Sequence, residues 1–353
     1  MMPGINDIAE GLARISDATP TLTAERCVNL RHQHAGQCDA CAAACPADAI
    51  ALTPAPQFDS IACLACGACA AACPVDALAG VRSLVEMWSK AQETISDGAA
   101  ALVCRAAGKG DFAAARVPCA GALPPEFFAA LALAGAQQVT IHTAACDACP
   151  LQPTLAQARQ AISAAQGLLA HVGRGVDVAW TEAPPPAQQR AGVTRRGLFS
   201  AALNPSKLRA APVPDVVDEL LAAGIGARRA LLINAFRATS VPAGANLPAS
   251  ANQWAAVRAD PAACIGCQMC AQFCPTEALV ATEDAAGTVT LWFDTARCAA
   301  CGLCLRACFK QVLTFEPEVA LAAVVTSDYE VIWQGQPLVN PLKSPRAFKA
   351  PAR

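Results

Sequence analysis

The sequence predicts three units in one chain: a small α+β unit at each end and a small α/β domain with a parallel sheet between them. Two observations point there. The twenty cysteines fall into three groups, Cys27 to Cys73, Cys104 to Cys149 and Cys264 to Cys308, and the outer two groups repeat one design. The middle group lies where short apolar strands alternate with helical segments, the pattern of a parallel sheet.

Length and composition agree with several units and exclude some functions. At 353 residues the chain exceeds what one core usually holds. A net charge of −2 with 15% charged residues gives no basic excess, so nucleic acid is not an expected partner. The 54% hydrophobic fraction is carried largely by alanine, and no apolar run reaches the roughly 18 residues of a membrane span. The opening "MMPGINDIAEGLARISDATP" lacks a basic region followed by an apolar one, so no secretory signal is expected and the expected compartment is cytoplasmic. Twenty cysteines in such a setting read as thiolates that bind metal or do redox chemistry, rather than as disulfides.

The N-terminal unit is expected over 1–85. It contains Cys63-x2-Cys66-x2-Cys69-x3-Cys73-Pro74, and the C-terminal unit, expected over 216–316, contains Cys264-x2-Cys267-x2-Cys270-x3-Cys274-Pro275. "FDSIACLACGACAAACPVDAL" aligns with "FDTARCAACGLCLRACFKQVL", and "CPADAIAL" with "CPTEALVA", so one supersecondary unit occurs four times in two pairs. This spacing suits iron–sulfur clusters: one tight loop offers three thiolates to a cubane, and the turn carries the fourth cysteine to the neighbouring cluster. Proline after that cysteine stops the loop from continuing as helix. The run Cys298-x2-Cys301-x2-Cys304-x3-Cys308 has Phe309 instead, a tolerated loss of rigidity. Zinc ribbons also use paired Cys-x2-Cys, but zinc has no need of a third cysteine followed by a fourth shared crosswise. "VTLWF" (289–293) reads as one of the short strands flanking the loops.

The opening run, Cys38-x2-Cys41-x3-Cys45-Pro46, lacks its first cysteine. Counting Cys27 makes eight for the N-terminal pair. The ten residues between, "VNLRHQHAGQ", can close as a surface loop that contacts a partner, since doubling a loop's length costs only about 0.6 kcal/mol. His32 and His34 are the rival ligands.

These runs resemble the eight-iron ferredoxin family, and two such units in one chain look like a polyferredoxin-type electron-transfer subunit. The resemblance implies ferredoxin-like α+β modules and four [4Fe-4S] clusters. Carried over by position, Cys264, Cys267, Cys270 and Cys308 would hold one, and Cys274, Cys298, Cys301 and Cys304 its partner. At the other end Cys45, Cys63, Cys66 and Cys69 would hold a third. Cys38, Cys41 and Cys73, with Cys27 as the added ligand, would hold the fourth.

The central α/β domain is expected over 98–181. "AALVC" (100–104), "AARVPC" (114–119), "QVTIHTAAC" (138–146) and "VDVAW" (176–180) read as strands, with helices between them. Cys104, Cys119 and Cys146 then fall at the carboxyl ends of strands, with Cys149 one turn beyond, where ligands of open α/β sheets gather. "VPCAGALPPEFFAALALAGAQQVTI" resembles the iron–sulfur (delta) subunit family of methyl-viologen-reducing hydrogenases over about 99–150. That resemblance implies a [2Fe-2S] cluster and electron flow toward heterodisulfide reductase. The chain departs from the family in its lone Cys104 and its tight Cys146-x2-Cys149 spacing. Structural zinc, another cluster and a redox disulfide remain open for these four. His142 reads as an ordinary polar residue at the sheet rim, with a supporting or ligand role as the alternative.

The remaining segments are expected as follows. "SLVEMWSKAQETISDG" is a connecting helix with Glu86, Lys90 and Glu93 on a solvated face. Residues 182–215 are a Pro-rich linker containing the twin-arginine-like "TRRGLFSAAL", read as a docking element, and 317–353 form an extended tail. The expected function is a non-catalytic electron-transfer subunit of an oxidoreductase complex. Its expected partners are hydrogenase, formate dehydrogenase or heterodisulfide-reductase-like subunits. A disulfide-type reductase using the central cysteines and a redox or iron sensor are the alternatives.

Overall fold

The computed structural model describes residues 19–32, 37–108, 112–185, 215–240, 244–250 and 253–338. His34, nearly all of the expected linker with its twin-arginine-like string, and the tail beyond 338 lie outside the described residues.

The N-terminal unit runs β1 (Thr21–Leu22), α1 (Val28–Arg31), α2 (Ala40–Ala43), β2 (Ile50–Leu52), β3 (Pro56–Phe58), α3 (Ala68–Ala72) and β4 (Leu78–Ala79). β2 and β3 form a hairpin, while β1 pairs antiparallel with β4 and closes the unit end to end. Each complete cysteine run bends sharply around its second cysteine. Left-handed residues stand on both sides: Ala65 and Gly67 around Cys66, Gly266 and Gln268 around Cys267, Ala300 and Gly302 around Cys301. Alanine and glutamine adopt that backbone only where the surroundings hold them there, so these loops carry local strain. A second left-handed residue follows each run's last cysteine by three positions, at Asp48, Asp76, Glu277 and Gln311. Gln311 keeps this turn, so Phe309 in the proline position does not alter it.

The middle of the chain contains α4 (Leu84–Gln92), β5 (Ala99–Cys104), β6 (Ala115–Val117), α5 (Pro125–Leu133), β7 (Gln138–His142), α6 (Thr154–Ala170) and β8 (Asp177–Thr181). The four strands form one sheet in the order β6-β5-β7-β8, and every pairing is parallel. α4 is capped by Ser83, whose hydroxyl accepts from the Glu86 N–H, and it buries Val85, Met87, Trp88 and Ala91 while Lys90 pairs with Glu93 at 3.0 Å outside. It is packed into the central core rather than being a bare connector.

Next come α7 (Asp215–Ala222) and α8 (Ala227–Arg237), followed by the C-terminal unit. That unit holds β9 (Asn246–Pro248), β10 (Val257–Ala259), α9 (Met269–Gln272), β11 (Leu279–Glu283), β12 (Val289–Phe293), α10 (Leu303–Ala307), β13 (Leu313–Phe315), β14 (Glu318–Ala320), α11 (Leu321–Thr326) and β15 (Glu330–Gly335). β10 pairs with β13 as β1 pairs with β4, and β11 with β12 as β2 with β3, so the duplication seen in the sequence recurs in the topology. Among the described residues no helix is long and apolar enough to cross a membrane.

Two segments differ from expectation. The helical stretch α7–α8, expected with the C-terminal unit, packs into the central core, where α8 lies against α5. Its residues Arg228, Arg229 and Asn234 are buried along with the apolar ones, and their polarity hides the helix's position. The expected tail from 317 is folded as far as it is described. β14 pairs with β9, and β15 extends the β11–β12 hairpin to three strands. Trp333 of β15 is buried over Gly266, where an added Cβ would come within 2.7 Å of its ring. The tail therefore covers the first cysteine loop of the C-terminal unit.

α8 joins all three units. Arg228 makes a bidentate ion pair with Glu126 of α5 at 2.9 and 3.0 Å, and its third nitrogen donates to the carbonyl oxygen of Cys73 at 2.8 Å. Arg229 donates through Nε to the Cys298 carbonyl oxygen at 3.1 Å. Replacing Glu126 with alanine would leave a buried, unpaired guanidinium. We predict a loss of about 3–5 kcal/mol in denaturant unfolding; a loss below about 1 kcal/mol would show that the pair does not hold the units together.

Candidate metal centres

The loops bring the outer cysteines together in four neighbourhoods. None of the twenty cysteines is paired in a disulfide. Cys270 is raised far above the ordinary thiol range by burial, and then by the facing sulfurs of Cys267, Cys264 and Cys308. Cys304 is likewise raised by burial and by Cys274, Cys298 and Cys301. In the N-terminal unit Cys69 is pushed up to about 12 by burial, then by Cys66, with Cys41 and Cys45 also contributing; Cys66 in turn faces Cys45 and Cys63.

Cys41 is pushed up to about 11 by burial, then by Cys73, Cys38 and Cys27. Cys27 is thus placed beside Cys38, Cys41 and Cys73, and its side chain is buried in the same cluster as Cys41 and Cys73. The ten-residue excursion is closed by Asn29, whose amide donates to the Cys38 carbonyl and accepts from the Cys38 N–H, both at 2.8 Å. Asp39 accordingly has φ −116° where the complete runs have a left-handed residue. His32 packs at a tilt against Phe273 of the C-terminal unit with ring centroids 4.4 Å apart, and Arg31 donates to the Cys274 carbonyl at 2.9 Å. The described part of the excursion therefore docks against this chain's own C-terminal unit.

The central four cysteines also converge. Cys104 ends β5, Cys119 follows β6, and Cys146 and Cys149 flank a single helical turn after β7. All four line one pocket with Thr143, Leu155 and Trp180. The Cys146 thiol is raised by burial and by Cys104, Cys119 and Cys149, against a hydrogen bond with Thr143. The Cys119 sulfur is 3.3 Å from the Thr154 hydroxyl. His142 is outside the pocket lining; its Nδ1 is 2.8 Å from the Ala183 carbonyl oxygen.

The five neighbourhoods touch in succession. Cys119 and Cys149 pack with Cys66, Leu64 and Leu151, and Arg105 donates to the Leu64 carbonyl. Cys69 faces Cys41 within the N-terminal unit. Cys301 and Phe273 pack against the group containing Cys27, Cys41 and Cys73. Cys304 faces Cys270 within the C-terminal unit.

This donor set fits iron–sulfur clusters. Crowded, buried thiols are poor places for negative charge unless cationic metal is present, which removes their protons. Backbone N–H groups already aim at the sulfurs: Ala77 at Cys73 (3.2 Å), Ala49 at Cys45 (3.3 Å), Ala300 at Cys298 (3.4 Å) and Leu279 at Cys274 (3.5 Å). Such bonds stabilise coordinated sulfur and tune potential. Sequence reasoning found the cysteines but not Arg31, Arg228 and Arg229, which reach cysteine carbonyls from outside the loops.

Residues 36–77 and 263–318 match the family model of the 4Fe-4S dicluster domain. Two such domains support an iron–sulfur electron-transfer role with redox partners. The matched segments begin after Cys27 and leave out the central domain. No curated protein and no solved structure matches the chain.

Thiols raised to about 11 and 12 hold their protons at neutral pH, so iron must displace them. We predict that uptake of iron and sulfide by the metal-free protein is weaker at pH 6.5 than at pH 8.5, measured as bound iron per chain at limiting iron. Equal uptake at both values would contradict this proton competition.

Proposed function

We propose that this chain is a non-catalytic electron-transfer subunit carrying four [4Fe-4S] clusters and a central [2Fe-2S] cluster in a single relay. The observation that carries this reading is the succession of five cysteine neighbourhoods packed one against the next.

Each cluster, when bound, supplies a one-electron carrier. Cys104, Cys119, Cys146 and Cys149 form the first site, and Cys45, Cys63, Cys66 and Cys69 the second. Cys27, Cys38, Cys41 and Cys73 form the third, Cys274, Cys298, Cys301 and Cys304 the fourth, and Cys264, Cys267, Cys270 and Cys308 the last. The residues do three things. They bury many of the sulfurs, aim N–H groups at them, and pack cysteines of adjacent sites together. The central four line one pocket at the carboxyl ends of the strands, which suits a single shared centre. The resemblance of residues 99–150 to the hydrogenase delta subunit makes hydrogenase, formate dehydrogenase and heterodisulfide-reductase-like subunits the candidate partners.

Anaerobically purified protein should contain about 18 irons per chain, against about 16 if the central site holds no iron. About one equivalent of zinc would overturn the central assignment. Replacing Cys27 with serine should remove or convert one cluster, lowering iron by up to about four per chain. An unchanged iron count and EPR spectrum would contradict the role given to Cys27.

A further inference from the structure

The central site and its N-terminal neighbour meet loop against loop. Cys119 and Cys149 of the one pack with Cys66 of the other, together with Leu64 and Leu151. Burial raises the Cys66 thiol, and the facing Cys119 sulfur adds to the shift. Two glycines let the backbones come this close. A Cβ at Gly67, beside Cys66, would stand 3.0 Å from the Ala122 Cβ, and one at Gly121 would stand 2.5 Å from the Thr154 Cβ. The turn after Cys119 is thus wedged between the Cys66 loop and α6.

Two polar side chains tie these loops together. Gln157 of α6 places its amide nitrogen between them, donating to the Gly121 carbonyl at 3.0 Å and to the Ala68 carbonyl at 2.9 Å. Gly121 closely follows Cys119, and Ala68 lies between Gly67 and Cys69. A primary amide has two N–H protons, so this one nitrogen is fully used in joining a turn of the central site to a turn of its neighbour. Arg105, next to Cys104, donates to the Leu64 carbonyl, and its other terminal nitrogen is 3.5 Å from the Ala65 carbonyl. Leu64 and Ala65 are the residues between Cys63 and Cys66. Each bridge therefore runs from a segment bearing one site's cysteine to a segment bearing the other's.

Resting on the relay reading above, we propose that Gln157 and Arg105 are positioning residues for electron transfer: they clamp the Cys119 turn and the Cys104 end of β5 onto the loop from Cys63 to Cys69. This seam is then the route between the central site and the rest of the relay. One electron crosses it, oxidising one site and reducing the other, and no proton or co-reactant is required. The rate depends on how closely the two loops are held, so a small displacement caused by a side chain that touches neither sulfur lowers it steeply.

The test gives the anaerobically purified full chain a sub-stoichiometric electron dose by flash photoreduction and follows equilibration between the [2Fe-2S] and [4Fe-4S] centres by their visible absorption. Gln157→Met keeps the length of the side chain and removes both donors. It should slow this step about tenfold. The spin–spin splitting between the two centres, read by EPR of the fully reduced chain, should shrink with it. Arg105→Met should act in the same direction, and Arg105→Lys, which retains a donor, should recover most of the rate. Gln166→Met removes a hydrogen bond from the same helix to the Val176 carbonyl, at 3.0 Å and within the central domain, and should leave both readouts unchanged. If Gln157→Met loses iron, Arg105→Met decides, since Arg105 is exposed. Rates within about twofold of wild type and an unchanged splitting, with iron retained, would overturn the clamp. A wild-type chain with about 16 irons and no [2Fe-2S] signal would instead overturn the central cluster on which it rests.

Discussion

Two adjacent arginines on one buried helix hold this molecule in register. A guanidinium keeps its charge in the interior, so each must find acceptors wherever the chain places it. Arg228 finds Glu126 on the central domain and the Cys73 carbonyl on the N-terminal unit. Arg229 finds the Cys298 carbonyl on the C-terminal unit. Neighbouring positions on a helix point in different directions, so a single turn of α8 addresses both outer units while its apolar residues pack on α5. Small cysteine-rich units have little apolar core of their own, which makes this borrowed interior important to their placement.

Within each unit the loops follow a more local logic. Left-handed residues on both sides of the second cysteine fold the chain back so that three sulfurs face inward, and the turn after the last cysteine sends its sulfur to the other neighbourhood. The resulting crowd of buried thiols is unfavourable for thiolate without a cationic partner, as the raised values for Cys41, Cys69 and Cys298 express. Fold and cofactor chemistry thus depend on one another: the strained loops suit a cluster, and a cluster would relieve the crowding.

Much of this was legible in the sequence because it is local. The spacing of Cys63 to Cys73 and of Cys264 to Cys308 announces the loops, and alternating apolar segments place Cys104, Cys119 and Cys146 at the end of a parallel sheet. What stayed hidden depends on distant partners. "GARRALLINAFR" has the charge of a surface helix, and only the facing Glu126, Cys73 and Cys298 explain its burial. "YEVIWQG" is a short strand followed by a Pro-rich stretch, and its pairing with β12 and its cover over Gly266 require a sheet edge nearly forty residues earlier. The excursion after Cys27 reads as a loop reaching for a partner, yet Arg31 and His32 meet Cys274 and Phe273 of the same chain.

In the proposed relay, the contacts of α8 and α1 with the outer units join two carriers into one path, and this continuity is its central claim. It is tested most directly by photoreducing the loaded chain with a sub-stoichiometric electron dose and following redistribution between the two dicluster units. The account predicts a rate that stays constant as protein concentration is raised tenfold, because the electron moves within one molecule. A rate that rises in proportion to concentration would mean that the units exchange electrons only between molecules, and would contradict it.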